Sequence, residues 1–277
     1  RLSNRKVLFS VLGVIILVAL FSFSAPFVND LIPTRRVGIG LTQVSKVSKT
    51  DGMTMLYVPA GPFTMGSNSG TGDERPVHTV TLEAFWIDKT EVTNAMYALC
   101  VKAGQCPAPA QKNSAKNPIY FGNSQFDNYP VIHVTWENAN VFCSWANRQL
   151  PTEAQWEKAA RSDKKYIYPW GDTEPDKNKL NFSDLVGDTT EVGKYPSGAS
   201  IYGAMDMAGN VWEWVYDWYE ENYNNKLSTP TPTLGQYRVL RGGAWGNYDF
   251  NVRASDRGRL DPTNFNDTIG FRCASSR

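Results

Sequence analysis

Residues 206–214 read DMAGNVWEW, and this stretch decides the fold. Trp212 and Trp214 alternate about Glu213, so neighbouring side chains point to different faces of the chain. A glutamate between two tryptophans is expected to be half buried, and it then needs a cation or backbone donors as partners. The stretch therefore predicts that Glu213 makes a specific polar contact.

Other motifs flank this stretch in a defined order. They are VPAGPFTMG (58–66), ERPVH (74–78), DKTEVTN (88–94), PVIHVTW (130–136), LPTEAQWE (150–157), YPWG (168–171), RGGAW (241–245) and GFRC (270–273). Together they resemble the formylglycine-generating enzyme family, also called the sulfatase-modifying-factor domain. The resemblance covers most of the chain. It implies a single α+β domain with the C-type-lectin-like fold and sparse secondary structure, which we place at 53–277.

Local signals predict several elements of this domain. Thr93 and Thr135 precede helices predicted over 95–103 and 136–148, and Thr152 opens a third helix through a capping box with Gln155. Alternation predicts strands over 55–58 and 77–82. Because Gly, Pro, Asp and Asn are frequent between 162 and 245, that region is predicted to consist of loops.

Charge and composition exclude two classes of protein. The 28 Lys and Arg residues nearly balance the 27 Asp and Glu residues, whereas a nucleic-acid-binding protein needs a basic face. A content of 13% aromatic and 20% charged residues excludes a disordered chain.

The N-terminal region is unlike the rest. Residues 7–29 contain no charge and follow Arg1, Arg5 and Lys6. As a helix they would be about 34 Å long, enough to cross a bilayer. The alternative is a cleaved signal peptide, but the run is longer than a usual signal. We predict an anchor in 1–29 with a cytoplasmic N-terminus, a linker in 30–52, and a domain in the periplasm or outside the cell.

The four cysteines fit such an exported chain. Their even number predicts two disulfides, and the sequence itself allows three pairings. The resemblance implies that Cys143 pairs with Cys273 and that Cys100 pairs with Cys106.

The family resemblance also implies that this chain lacks the cysteine pair that the family's oxidases use. The family's oxidases bind copper through two cysteines five residues apart, shortly after the Gly242-Gly243 pair. Here the matching positions are Asn247 and Val252. Neither side chain can supply a thiolate, the soft ligand that Cu(I) prefers. We therefore expect no copper and no formylglycine-generating activity.

Calcium is the metal that the resemblance implies. One site would use Asn181 and Asp184, with backbone oxygens of Phe182 and Val186; the other would use Asn210 and Glu213. Hard oxygen ligands on loops suit calcium. The alternative is that these side chains hydrogen-bond to loop backbone without metal.

A candidate binding surface follows the Gly-Gly pair. It comprises Trp245, Asn247, Tyr248, Asp249, Phe250, Arg253, Arg257 and Arg259. Exposed aromatic and arginine side chains suit protein contacts. The three arginines have an alternative role, internal salt bridges that hold the loops. His78 and His133 are expected to be structural.

These features favour a non-catalytic, membrane-anchored binding or scaffold subunit of a larger membrane protein complex. The alternatives are a copper-dependent oxidase of the formylglycine-generating type and a calcium-dependent lectin-like receptor for glycans or peptides.

Overall fold

The computed structural model describes residues 43–223 and 235–276. The described strands are β1 Ser45–Val47, β2 Thr54–Val58, β3 Gly61–Met65, β4 His78–Leu82, β5 Phe85–Asp88, β6 Trp212–Trp218, β7 Arg238–Arg241, β8 Gly258–Leu260, β9 Ile269–Phe271 and β10 Ala274–Ser275. The described α-helices are α1 Asn94–Lys102, α2 Trp136–Trp145 and α3 Glu153–Arg161.

Two four-stranded sheets and a hairpin organise the domain. The first sheet has the antiparallel order β1-β2-β5-β10, and β3 pairs with β4 in the hairpin. The second sheet has the order β8-β7-β6-β9, in which β6 and β9 run parallel. Because β9 and β10 are consecutive, the short link Arg272-Cys273 joins the two sheets. The α+β class and sparse secondary structure are confirmed.

The helix starts follow the predicted caps. Thr152 accepts the N–H of Gln155 at 3.2 Å, and the Gln155 side chain accepts the N–H of Thr152 at 2.9 Å. The second helix is shorter than predicted and ends at Trp145. The left-handed backbone of Asn147, with φ of 57°, cannot continue the helix toward Arg148.

Two boundaries differ from the sequence prediction. Strand β1 pairs with β2, so the domain begins inside the segment assigned to the linker 30–52, and the start at residue 53 was placed too late. The region 162–245 holds strands β6 and β7 rather than only loops. The local signal for β6 was the placement of Glu213 between Trp212 and Trp214, because in the strand both tryptophans lie on one face and Glu213 lies on the other.

The predicted anchor at 7–29 lies outside the described residues. Within the described ranges, no helix has the length and apolar character needed to cross a membrane.

Both disulfides predicted from the resemblance are confirmed. Cys143 bonds to Cys273, and Cys100 bonds to Cys106. All four half-cystines are buried in the core cluster that also contains Tyr97, Phe142 and Phe271. Since the chain has four cysteines, no thiol is left free.

Gly209 offers a sharp test of how tightly the loops pack. Its φ is 73°, and a Cβ there would lie 2.2 Å from the carbonyl oxygen of Asn181. We expect Gly209→Ala to lower the free energy of unfolding by about 2 kcal/mol or more, because strain and overlap add. Urea denaturation would measure the change.

The matched control is Gly52→Ala. Gly52 has a similar φ of 79°, but nothing lies within 4 Å of the added Cβ. This variant should lower the free energy of unfolding by only about 1 kcal/mol, because it adds backbone strain without overlap. Equal losses in the two variants would show that the Asn181 carbonyl is not a steric limit.

Candidate functional site

Buried ion pairs fix the loops that carry the candidate surface. Glu153 and Glu157 lie one turn apart on α3, where both are fully buried. Arg257 donates from Nε to Glu153 at 2.6 Å, and Arg241 pairs with Glu157. Arg241 also donates to the backbone carbonyls of residues 254–256. Helix α3 therefore anchors the loop between β7 and β8.

Arg253 ties the same loop to a distant segment. Its guanidinium donates to Glu74 at 2.7 and 3.0 Å and to the carbonyl of Phe250 at 2.8 Å. Arg253 and Arg257 are 9% and 7% exposed. Their prediction as contact residues was wrong, and their alternative role in internal salt bridges is the one observed.

Arg259 differs from these two arginines because it is exposed. Its guanidinium lies 4.7 Å from the ring centre of Tyr219 and 5.6 Å from that of Tyr237. It therefore remains available at the surface.

Glu213 has the cation that its setting predicted, and this cation is an arginine. Arg272 donates to both carboxylate oxygens at 2.7 Å, and the indole of Trp156 donates at 2.8 Å. The guanidinium already neutralises the carboxylate. Asn210 Oδ1 accepts the N–H of Thr190 at 2.9 Å. The Asn210 and Glu213 oxygens thus do not fit a calcium site.

The Asn181 and Asp184 pair is not brought together as a buried site. Asp184 is exposed beside Gly246, whereas Asn181 is buried and donates to the carbonyl of Asp188 at 2.8 Å. The side chain of Asp188 accepts Ser114, Lys116 and Asn117 donors. Only Asn181 Oδ1 among these oxygens is buried without a donor in the described residues.

A better oxygen pair lies at Glu91 and Asp206, which sequence reasoning missed. Burial raises the pKa of Glu91, and the nearby Asp206 raises it further. Burial also raises the pKa of Asp206. Glu91 Oε1 accepts Asn210 Nδ2 at 3.0 Å, but no donor in the described ranges reaches Oε2. The two carboxyls share a hydrogen bond, and Arg272 lowers the pKa of both, so a proton and a guanidinium already offset part of their repulsion.

Among the described residues, no three His, Cys, Asp or Glu side chains converge as a metal site. His133 Nε2 contacts the Asn113 carbonyl at 3.0 Å, and His78 Nδ1 contacts that of Pro76 at 2.9 Å. Both histidines thus have backbone partners, consistent with structural roles.

The loops over this framework expose an aromatic face. We define the aromatic face as the exposed side chains Ile167, Leu185, Val186, Tyr248 and Phe250. Tyr248 is 65% exposed, and Phe250 is 48% exposed. The predicted Trp245 and Asn247 are partly exposed, and Asp249 is exposed. Tyr248, Asp249 and Phe250 of the predicted surface are exposed, whereas the exposed Ile167, Leu185 and Val186 were not among the predicted residues.

The two positions expected to replace catalytic cysteines have structural roles. Asn247 Oδ1 accepts the N–H of Ala244 at 2.9 Å and closes a tight turn. Val252 is fully buried against Tyr168, Leu180 and Ala208. The Asn247 amide already accepts a backbone hydrogen bond, and Val252 is aliphatic, so neither can act as a copper ligand.

Comparisons with known proteins agree with this architecture. The family model described as the sulfatase-modifying factor enzyme 1-like domain matches residues 41–277. The solved structure of PvdO from Pseudomonas aeruginosa superposes with a TM-score of 0.72 and 26% identity, covering 84% of this chain and 97% of PvdO.

Part of several chlamydial protein kinases is similar to this chain. Serine/threonine-protein kinase Pkn1 of Chlamydia trachomatis is 38% identical over 239 residues, which cover 79% of this chain and 38% of the kinase. The chain thus spans well under half of the length of the curated kinases it matches.

Two further relatives are covered over most of their length. The formylglycine-generating enzyme of Streptomyces coelicolor is 32% identical over 280 residues, covering 79% of this chain and 88% of the relative. The inactive C-alpha-formylglycine-generating enzyme 2 of Mus musculus is 31% identical over 274 residues, covering 80% and 85%. With its fold, ordered motifs and family match, this chain belongs to the sulfatase-modifying factor enzyme 1-like family.

Proposed function

We propose that this chain is a non-catalytic binding or scaffold subunit that uses the aromatic face to contact another protein. The observation that carries the proposal is the use of all four cysteines in two buried disulfides. No free thiol remains to form a copper site with two thiolate ligands. Asn247 instead closes a turn in the loop, and Val252 packs in the core.

The framework behind the surface supports a binding role. Buried arginine pairs hold the backbone of residues 250–257, so the aromatic side chains above it are presented with little conformational freedom. Binding then costs less ordering entropy than it would for a mobile loop. Tyrosine and phenylalanine supply large apolar area at such interfaces.

The wider setting belongs to the same proposal. Residues 7–29 anchor the chain in a membrane, and the domain lies in the periplasm or outside the cell as part of a membrane protein complex. Two disulfides suit an oxidising compartment. The inactive mouse relative and the kinase-associated relatives are precedents for family domains outside formylglycine formation.

Cross-linking at Tyr248 tests this function. A photoactivatable phenylalanine analogue would replace Tyr248 in the full chain, expressed in membranes of the source organism. The control position is Ile119, which is 62% exposed and outside the aromatic face. We expect a discrete cross-linked partner from position 248 and none from position 119. Equal labelling at both positions would contradict a binding surface at Tyr248.

The competing oxidase function predicts a different result. Copper-loaded protein would consume oxygen in the presence of a cysteine-containing peptide. We expect no consumption above that of a sample without protein, because a free thiolate pair is missing. Turnover that depends on both copper and peptide would overturn the non-catalytic assignment.

Calcium forms a separate part of the proposal, and we infer that Glu91 and Asp206 would hold it. A divalent cation would offset the part of the repulsion between these carboxylates that Arg272 does not already offset. At a concentration of 100 times Kd, calcium should stabilise the fold by about 2.7 kcal/mol. Thermal unfolding with and without calcium measures this gain.

Glu91→Gln should abolish the calcium-dependent rise in Tm. Glu174→Gln provides a control at an exposed carboxylate and should retain it. If the rise survived in Glu91→Gln, calcium would bind elsewhere.

A further inference from the structure

A polar cavity of about 610 Å³ lies against the first sheet, and the function proposed above does not use it. Its walls come from three segments that are distant in sequence, 46–55, 146–149 and 274–276. Small-molecule sites in proteins usually have volumes of about 300–1,000 Å³. None of the lining residues belongs to the aromatic face. The cavity is therefore a candidate site for a second, separate ligand.

Backbone hydrogen bonds hold the walls of the cavity in place. Gln149 N–H donates to the Ala274 carbonyl at 2.9 Å, and Ala274 N–H donates to the Gln149 carbonyl at 2.7 Å. The turn that carries Lys49 is closed by Ser48 N–H, which donates to the Met53 carbonyl at 2.8 Å. A ligand would meet walls that are already formed, so binding would cost little ordering entropy of the chain.

The charged residues that line the cavity are all basic: Lys46, Lys49 and Arg148. Arg148 is already paired, since its guanidinium contacts Asp51 and donates to Asp88 at 2.8 Å. Both carboxylate side chains are fully buried and do not belong to the lining. Because burial raises the pKa of Asp88 to about 7, this buried group of three is closer to neutral than its two carboxylates suggest. A ligand would therefore meet the two lysines as its charged contacts.

The first sheet fixes the position of Lys46. Lys46 lies in β1 opposite Met55 of β2, which also lines the cavity. Its Nζ lies 4.3 Å from the ring centre of Trp86. Burial lowers the pKa of Lys46, so its ammonium group has lost part of its hydration. An anion beside such an ammonium is attracted more strongly than it would be in bulk water.

Neutral polar side chains form much of the remaining lining. The hydroxyls and amides belong to Ser48, Thr50, Asn147, Gln149, Ser275 and Ser276. Hydroxyl and amide groups both donate and accept hydrogen bonds, so they match a ligand that carries several hydroxyls. The apolar lining residues are the small or flexible side chains of Met55, Ala146 and Ala274.

We propose that this cavity binds a small sugar or polyol that carries one anionic group, either a carboxylate or a phosphate. Lys46 and Lys49 neutralise the anionic group, and the hydroxyl and amide side chains bond to the hydroxyls of the ligand. A neutral sugar lacks the ionic contacts. A bare inorganic anion leaves most of the cavity volume unfilled.

Titration calorimetry with the full chain tests this ligand class. The four probes are glucose, glucuronate, glucose 6-phosphate and inorganic phosphate. We expect glucuronate or glucose 6-phosphate to bind with a Kd at least about tenfold lower than the Kd of glucose and of inorganic phosphate. An equal Kd for glucose would show that charge is not recognised, and an equal Kd for inorganic phosphate would indicate an adventitious anion only. Either result, or no binding of both anionic sugars, would overturn the proposal.

Charge-removing variants locate the site. Lys46→Gln/Lys49→Gln should raise the Kd of the anionic sugar about tenfold or more and leave that of glucose unchanged. Lys164→Gln/Lys165→Gln is the matched control, because it makes the same charge change at exposed lysines outside the cavity. Urea denaturation establishes that both double variants fold. Equal binding by the two double variants would place the ligand elsewhere.

Lysine acetylation supplies a second readout that needs no variant. A saturating anionic sugar should protect Lys49 from acetic anhydride, as measured by mass spectrometry, and leave Lys164 reactive. Unchanged labelling of Lys49 in the saturated protein would contradict the assigned position. The cavity and the aromatic face share no residue, so failure of this proposal would leave the cross-linking test at Tyr248 unaffected.

Discussion

Replacing Arg272 with methionine is expected to lower the free energy of unfolding by about 3–5 kcal/mol. Arg272 is fully buried, and it donates to both oxygens of Glu213. It also donates to the backbone carbonyls of Asp88 and Met205. Methionine fills similar space but leaves a buried carboxylate without its cation and carbonyls without donors. Urea denaturation of the purified domain would measure the loss.

Arg259→Met is the matched control for this variant. Arg259 is exposed and contacts aromatic rings, so its replacement should change stability by less than about 1 kcal/mol. The double variant Arg272→Met/Glu213→Leu should recover part of the loss, because it removes the orphaned charge. If Arg272→Met and Arg259→Met were equally stable, the buried pair would not hold the sheets together.

Removing the disulfide between Cys143 and Cys273 is expected to have an effect of similar or greater size. The two cysteines are 130 residues apart, so opening the bond restores much conformational entropy to the unfolded chain. The chain-entropy relation gives about 5 kcal/mol for a loop of this length. The Cys143→Ala/Cys273→Ala protein should therefore unfold at a much lower urea concentration.

The second disulfide is an internal comparison. Cys100 and Cys106 are 6 residues apart, and the same relation gives about 2 kcal/mol for Cys100→Ala/Cys106→Ala. Both double variants remove two buried sulfur atoms, so the difference isolates loop length. Equal losses would mean that packing of the sulfur atoms outweighs loop entropy.

Local features of this fold could be predicted from sequence because short-range contacts decide them. The capping box of α3 depends on Thr152 and Gln155, which are only three residues apart on the chain. Tyr248, Asp249 and Phe250 are exposed, as expected for aromatic and polar residues in a loop that follows the Gly-Gly pair. The cysteine pairing was available only through the family resemblance.

Long-range partners were the part that sequence could not supply. Arg253 looked like a surface residue within its own loop, but its partner Glu74 is 179 residues away. Glu213 was expected to need a cation, yet nothing near it in sequence distinguished Arg272 from calcium. The same limit hid the Glu91 and Asp206 pair, whose separate motifs give no sign that the carboxyls meet.

The junction between β9 and β10 has a consequence for biosynthesis. These strands add to different sheets, and the residues between them supply Arg272 and Cys273. A nascent chain emerges N-terminus first, so neither sheet is complete until residues 269–275 have left the ribosome or the export channel. Earlier segments must wait with exposed strand edges and a reduced Cys143, which is the state that chaperones and disulfide catalysts recognise. Strands β9 and β10 therefore set the point in synthesis after which both sheets can close.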